Sequence, residues 1–141
     1  MSGASIVNSE SIKPKSVIMG VRFLYAAIIV SFLRGIIVGR QIGEVENIPF
    51  VSVILVLIFV SCLTWFLVYK ISLGKNWARI LYTILFIIGN GLTIFPLIAS
   101  VVKHPVSGLL GIGQAVLELI GMMMLFSVSS NQWFKLSRIK E

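Results

Sequence analysis

Four apolar runs of membrane length, separated by short polar connections, leave this chain few ways to fold. They cover about residues 17–39, 49–69, 77–102 and 108–129. A bilayer's hydrocarbon core is about 30 Å thick, and a helix needs about 20 apolar residues to cross it. Inside the bilayer every backbone N–H and C=O must find its partner within the chain. The expectation is therefore all-α: an integral membrane four-helix bundle over residues 17–130, with a polar tail at 1–16 and a basic amphipathic tail at 131–141.

Composition leaves no soluble alternative. The 141 residues are 57% hydrophobic and only 12% charged, with a mean hydropathy of +1.02. That is about half the charged share of a soluble domain, and no soluble core of this size could hide so much apolar surface. The net charge is +7. The cations sit in short connections rather than on a basic domain, so nucleic acid is not expected as a partner. Cys62 is the one cysteine, so no intrachain disulfide can form. It reads as a small packing residue. Lys13, Lys15 and Arg22 precede the run 23–33, but Arg34 follows and no small-residue cleavage site is in view. The first run is expected to be retained rather than cleaved as a signal.

Lys and Arg in short loops set orientation. The N-terminal side has Lys13, Lys15 and Arg22; the second loop and its edges have Lys70, Lys75 and Arg79; the tail has Lys135, Arg138 and Lys140. The first loop, which begins at Gly39, offers Arg40 against Glu44 and Glu46, and the third offers Lys103. Both termini are therefore expected in the cytoplasm, the membrane being a bacterial inner membrane. Trp77 and Trp133 fall at that interface and suit it as amphipathic anchors. The tail interleaves Trp133, Phe134, Leu136 and Ile139 with its cations and is expected to lie on anionic headgroups. Pro49 should sit in the first turn of its helix, and Pro96 should kink the third.

The fourth run holds a carboxylate, Glu118, at membrane depth, which is costly without a reason. On a helix, Ser107, Gly111, Gln114, Glu118 and Gly121 form one small, polar stripe, from which the run Met122 to Met124 mostly departs. Gly20, Ala27, Ser31 and Arg34 share a face of the first run. Two such stripes are expected to face each other. Counting about 1.5 Å per residue puts Asn90 at the depth of Glu118, within reach of Arg34. The expected intramembrane cluster is Arg34, Asn90, Gln114 and Glu118, joined by Ser31 and Thr93. Arg34 cannot shed its charge, whereas Glu118 can take up a proton. Either the two pair as a structural clasp, or Arg34 turns outward and Glu118 is left to titrate. Gly35, Gly39, Gly89 and Gly91 are expected to serve close packing.

Arg22-Phe23-Leu24-Tyr25 matches Arg79-Ile80-Leu81-Tyr82, which reads either as a parallel hairpin repeat or as chance alignment of apolar sequence. The segments Gly74 to Ile80 (GKNWARI) and Phe126 to Lys135 (FSVSSNQWFK) resemble motifs of small bacterial four-span membrane proteins. Those proteins carry Asn-Trp-Ala-Arg before the third span and Trp-Phe after the fourth. The resemblance implies the topology and no activity. Glu46-Asn47-Ile48-Pro49 resembles a stretch of the four-span glutathione-using membrane enzymes, but the Arg-Ala-His/Gln-x-Asn stretch expected upstream is missing.

Nothing else points to catalysis. His104 stands alone beside Pro105, so no metal site is expected. No Ser or Thr has a His partner within a span, and there is no phosphate-binding Gly loop. No cofactor is expected. The leading expectation is a non-enzymatic membrane protein that recognises another membrane component, as a regulator, an assembly partner or a toxin-immunity protein. Its partners would be the bilayer and another membrane protein or a second copy. The alternative is a proton-coupled transporter of a small solute or lipophilic cation using Glu118. A closed Arg34–Glu118 pair in a tight bundle would favour the first; an apolar, Met-rich pocket near Glu118 would favour the second.

Overall fold

The computed structural model describes residues 12–46 and 49–139, with the side chains of 42–46, Pro96, Ser100, Arg138 and Ile139 excepted. Among the described residues five helices follow in order: α1 (Lys15–Glu46), α2 (Phe50–Ser72), α3 (Asn76–Lys103), α4 (Pro105–Leu125) and α5 (Val128–Ile139). The first four are each long and apolar enough to cross a membrane. They form an all-α four-helix bundle in which α1 packs on α2 and α4, and α3 closes the ring between them. This is a multi-pass membrane protein. Its outward faces, among them Leu55, Phe59, Leu92 and Phe95, are apolar and exposed, as a bilayer requires.

The connections explain the ring. After α2, the Gly74 N–H donates to Ile71 C=O (2.9 Å) and the Lys75 N–H to Lys70 C=O (3.1 Å), a Schellman closure. It needs a left-handed residue, and Gly74 supplies it at φ +84. The α3–α4 connection is tighter, a single residue, His104. Pro105 starts α4 and His104 C=O accepts from Ser107 Oγ (3.0 Å) and Gly108 N–H (3.0 Å). The hairpin closes because Gly108 lacks a side chain: a Cβ there would lie 2.6 Å from Val101 Cα.

Several boundaries differ from expectation. Helix α1 continues through Gly39, Arg40 and Gln41, which the sequence assigns to the first loop. Gly39 packs against Val53 Cγ1, so the end of α1 is held on α2 rather than released. Asn47 and Ile48 lie outside the described residues. Pro49 is the N-cap of α2, not its first helical residue. Helix α3 keeps close to its expected bounds, Asn76–Lys103. The run 108–129 is two elements: α4 stops at Leu125, and Phe126 and Ser127 turn the chain into α5.

Packing is uneven along the bundle. At the end that carries the chain termini, Val17, Leu24, Leu67, Val68, Ile71 and Leu125 are fully buried or within 1% of it. Gly20 and Gly121 bring α1 and α4 together there, a Gly20 Cβ falling 3.0 Å from Gly121 O. Tyr25 and Trp65 join α1 to α2, their ring centres 4.8 Å apart. Towards the other end the buried residues are small: Gly39, Ser107, Gly108 and Gly111. Gly35 meets Leu57, but a Cβ at Gly89 or Gly91 would find nothing within 4 Å, so these two do not serve close packing.

Candidate functional site: a polar cavity within the bundle

Where the terminal-end core stops, the four helices line a half-open cavity of about 440 Å³. Helix α1 contributes Ser31 and Arg34, and α2 contributes Val60, Leu63 and Thr64. Helix α3 contributes Tyr82, Phe86, Asn90 and Thr93, with Gly111, Gln114 and Glu118 on α4. All four residues of the expected intramembrane cluster therefore line one space. The positions on α3 and α4 are three or four residues apart, so each helix turns one continuous face inwards.

The bonding inside differs from the clasp. Among the described residues no ion pair joins Arg34 to Glu118. The Glu118 carboxylate accepts instead from two amides, Asn90 Nδ2 at 3.2 Å on Oε2 and Gln114 Nε2 at 3.2 Å on Oε1. Asn90 Nδ2 also donates to Phe86 C=O (3.0 Å), which anchors the amide to its own helix. Arg34 lies across α4 at Gly111, where a Cβ would come 2.9 Å from its Nε. Its Nε is buried without a hydrogen-bond partner, and so is Gln114 Oε1. The cavity therefore holds one unmatched donor and one unmatched acceptor, which is unusual for buried polar atoms. Thr93 donates to Gly89 C=O (2.8 Å) and is satisfied within α3.

The cavity is not Met-rich. Met122 is buried in the terminal-end core, where its sulfur accepts from Thr83 Oγ1 (3.8 Å), and Met123 faces outwards. His104 is exposed at the α3–α4 connection. No group of three metal-ligating side chains occurs among the described residues.

A second polar centre sits at the terminal end, and sequence reasoning missed it. Arg79, a loop cation by its place in the sequence, is only 8% exposed. Its guanidinium carbon lies 4.4 Å from the Phe126 ring centre and 4.5 Å from that of Phe134. Its Nη1 donates to Leu125 C=O (3.0 Å) and Asn131 Oδ1 (2.7 Å). Leu125 ends α4, so its carbonyl has no helical partner and a cation there is favourable. The Asn-Trp-Ala-Arg and Trp-Phe segments thus meet at one place. Around Gly74, a Cβ would lie 2.8 Å from Ser137 Oγ and 3.1 Å from Trp133 Cη2. Phe134, on the tail expected at the membrane surface, is buried in the bundle.

Of the two anchors, Trp77 is exposed, while Trp133 packs edge-on against Phe134 at 5.0 Å beneath Lys13. The arginines matched in the proposed repeat are used differently: Arg22 is exposed and Arg79 buried. Comparison with protein-family models, curated proteins and solved structures finds no match to this chain.

Proposed function

We propose that this membrane protein, acting without catalysis, holds a small solute in the cavity and passes it across the bilayer, with Glu118 as the proton-carrying group. The observation that carries the reading is the unmatched polar chemistry of the cavity: Arg34 and Glu118 both reach it without pairing. An intramembrane charge is costly, and a pair kept only for the fold would neutralise itself. This reading exchanges the order of the two expected functions, because the clasp that favoured recognition is not formed. The Lys and Arg distribution supports a reading with both termini in the cytoplasm, in a membrane taken as a bacterial inner membrane, and two copies would give so small a chain a complete path.

Recognition of another membrane component remains as a second reading, favoured by one observation. The terminal end is closed by Leu24, Leu67, Ile71 and Leu125, so the cavity has no way out on that side in this conformation. Cysteine accessibility separates the two. In a Cys62→Ala background, Ser31→Cys is placed in the cavity and Ile87→Cys on the exposed face of α3. Proteoliposomes are treated with the impermeant reagent 2-sulfonatoethyl methanethiosulfonate from either side. Transport predicts that Ser31→Cys reacts from both sides and Ile87→Cys from neither. Reaction of Ser31→Cys from one side only favours recognition, and no reaction from either side rejects a solute cavity.

A further inference from the structure

We infer that the solute is an organic anion with an apolar body, seated on Arg34, and that Glu118 takes up one proton for each anion bound. This deepens the reading of the cavity as a solute site and rests on it.

One of the cavity's two charges is already matched and the other is not. Among the residues lining the cavity, Arg34 and Glu118 are the two that carry charge. Glu118 has an amide N–H on each oxygen. Arg34 has no equivalent: its Nε is buried and unpartnered. A guanidinium keeps its proton even when buried, so its need is met by an oxyanion and not by deprotonation. Its planar fork suits a carboxylate, sulfonate or phosphate. Gly111 lets the guanidinium lie against α4, since a Cβ there would come within 2.9 Å of Nε and 3.0 Å of Cζ. A cation would meet the opposite arrangement, an unmatched positive charge and a carboxylate already bonded. The lipophilic cation considered from the sequence is therefore disfavoured.

The rest of the ligand follows from the walls. Leu63, Leu85, Phe86 and Leu97 line the cavity beside the polar groups. Its volume, about 440 Å³, lies in the range of small-molecule sites. A compact apolar body with one anionic end matches both. Gln114 Oε1, the unmatched acceptor, is available to a ligand hydroxyl or to water.

Charge balance then fixes the coupling. The empty cavity carries one positive and one negative group. A bound anion would leave a net negative charge at membrane depth, which is unfavourable. The groups facing Glu118 are Arg34 from α1, Thr64 from α2, Tyr82 and Asn90 from α3, and Gln114 from its own helix. Arg34 cannot change charge, Tyr82 is neutral in its protonated form, and the others do not titrate. Glu118 can restore neutrality by taking one proton from water, its carboxylate becoming a carboxylic acid. Rotation of the Gln114 amide would then present an oxygen to accept the new O–H.

The test uses the purified full chain in detergent and two probes that stay anionic at all working pH values, benzenesulfonate and hexanesulfonate. Trimethylphenylammonium serves as the cation of similar shape. Calorimetric titration in buffers of different ionisation enthalpy counts the protons taken up. A sulfonate is expected to bind with one proton, more weakly as pH rises, and the ammonium not at all. Arg34→Lys, which keeps the charge but not the fork, should weaken binding about tenfold or more and retain the proton. Glu118→Gln should bind the sulfonate with no proton uptake. Binding without proton uptake in the wild type, preference for the ammonium, or no binding of either sulfonate would overturn the inference. The reading of the cavity fails separately, when Ser31→Cys is unreactive from both sides.

Discussion

Asn90 on α3 donates to Glu118 on α4 across 3.2 Å, and the same nitrogen donates to Phe86 C=O one turn back. The bond ties two helices at membrane depth and leaves Arg34 outside the arrangement. Interhelical hydrogen bonds in membranes average about 0.6 kcal/mol and reach about 1.7. Asn90→Leu is therefore predicted to lower stability by no more than about 2 kcal/mol. The variant should remain a folded monomer or dimer by gel filtration. Reversible denaturation in mixed detergent measures the loss, and collapse of the protein would show that the bond matters far more than a typical interhelical one.

The glycines divide into three grades by what a methyl group would meet. At Gly113 nothing lies within 4 Å, so Gly113→Ala should be neutral or gain up to about 1 kcal/mol from helix propensity. Gly35→Ala presses on Leu57, a flexible side chain that can move. Gly108→Ala meets the Val101 backbone at 2.6 and 2.7 Å, which cannot. Overpacking typically costs about 1–3 kcal/mol, and Gly108→Ala should lie at or above the top of that range. Melting temperatures should rank Gly113→Ala, Gly35→Ala, Gly108→Ala from highest to lowest; a Gly108→Ala protein as stable as wild type would contradict the tight α3–α4 hairpin.

Arg79 holds α5 to the bundle through two rings and two oxygens. Lysine has no planar face to lie against the Phe126 and Phe134 rings. Arg79→Lys is therefore predicted to behave like Arg79→Gln, releasing the Trp133 face of α5. Tryptophan emission should shift to the red, and limited proteolysis should cut the chain between residues 126 and 139 more rapidly. Phe134→Leu in a double-mutant cycle with Arg79→Gln should show a coupling of about 0.5–2 kcal/mol. A Lys variant indistinguishable from wild type in both assays would reduce Arg79 to a point charge.

The number of membrane-spanning helices is legible in the sequence, and because intramembrane polar residues are few, helical spacing assigns each of them to a face. Pairing within the cluster is not. Spacing places Arg34 and Glu118 on facing stripes, but it does not say that Asn90 and Gln114 reach the carboxylate first. Arg79 escapes for a related reason. A cation one turn into a span looks like an interfacial charge, and only the return of the chain after α4 supplies the Phe126 and Phe134 rings that bury it. The end of α4 is hidden because Phe126 and Ser127 do not interrupt an apolar run. Gly89 and Gly91 resemble packing glycines, yet Gly89 lines the cavity and Gly91 is exposed.

The most direct test of the central claim, that Arg34 and Glu118 share a cavity without forming a clasp, is a double-mutant cycle. Arg34→Gln, Glu118→Gln and the double variant are compared in thermal stability and folded yield. Unpaired charges predict that the two effects add, with a coupling below about 0.5 kcal/mol. A collapse of each single variant with recovery in the double would mean that each charge is stranded without the other. The pair would then be a structural clasp, and the proposed solute cavity would lose its basis.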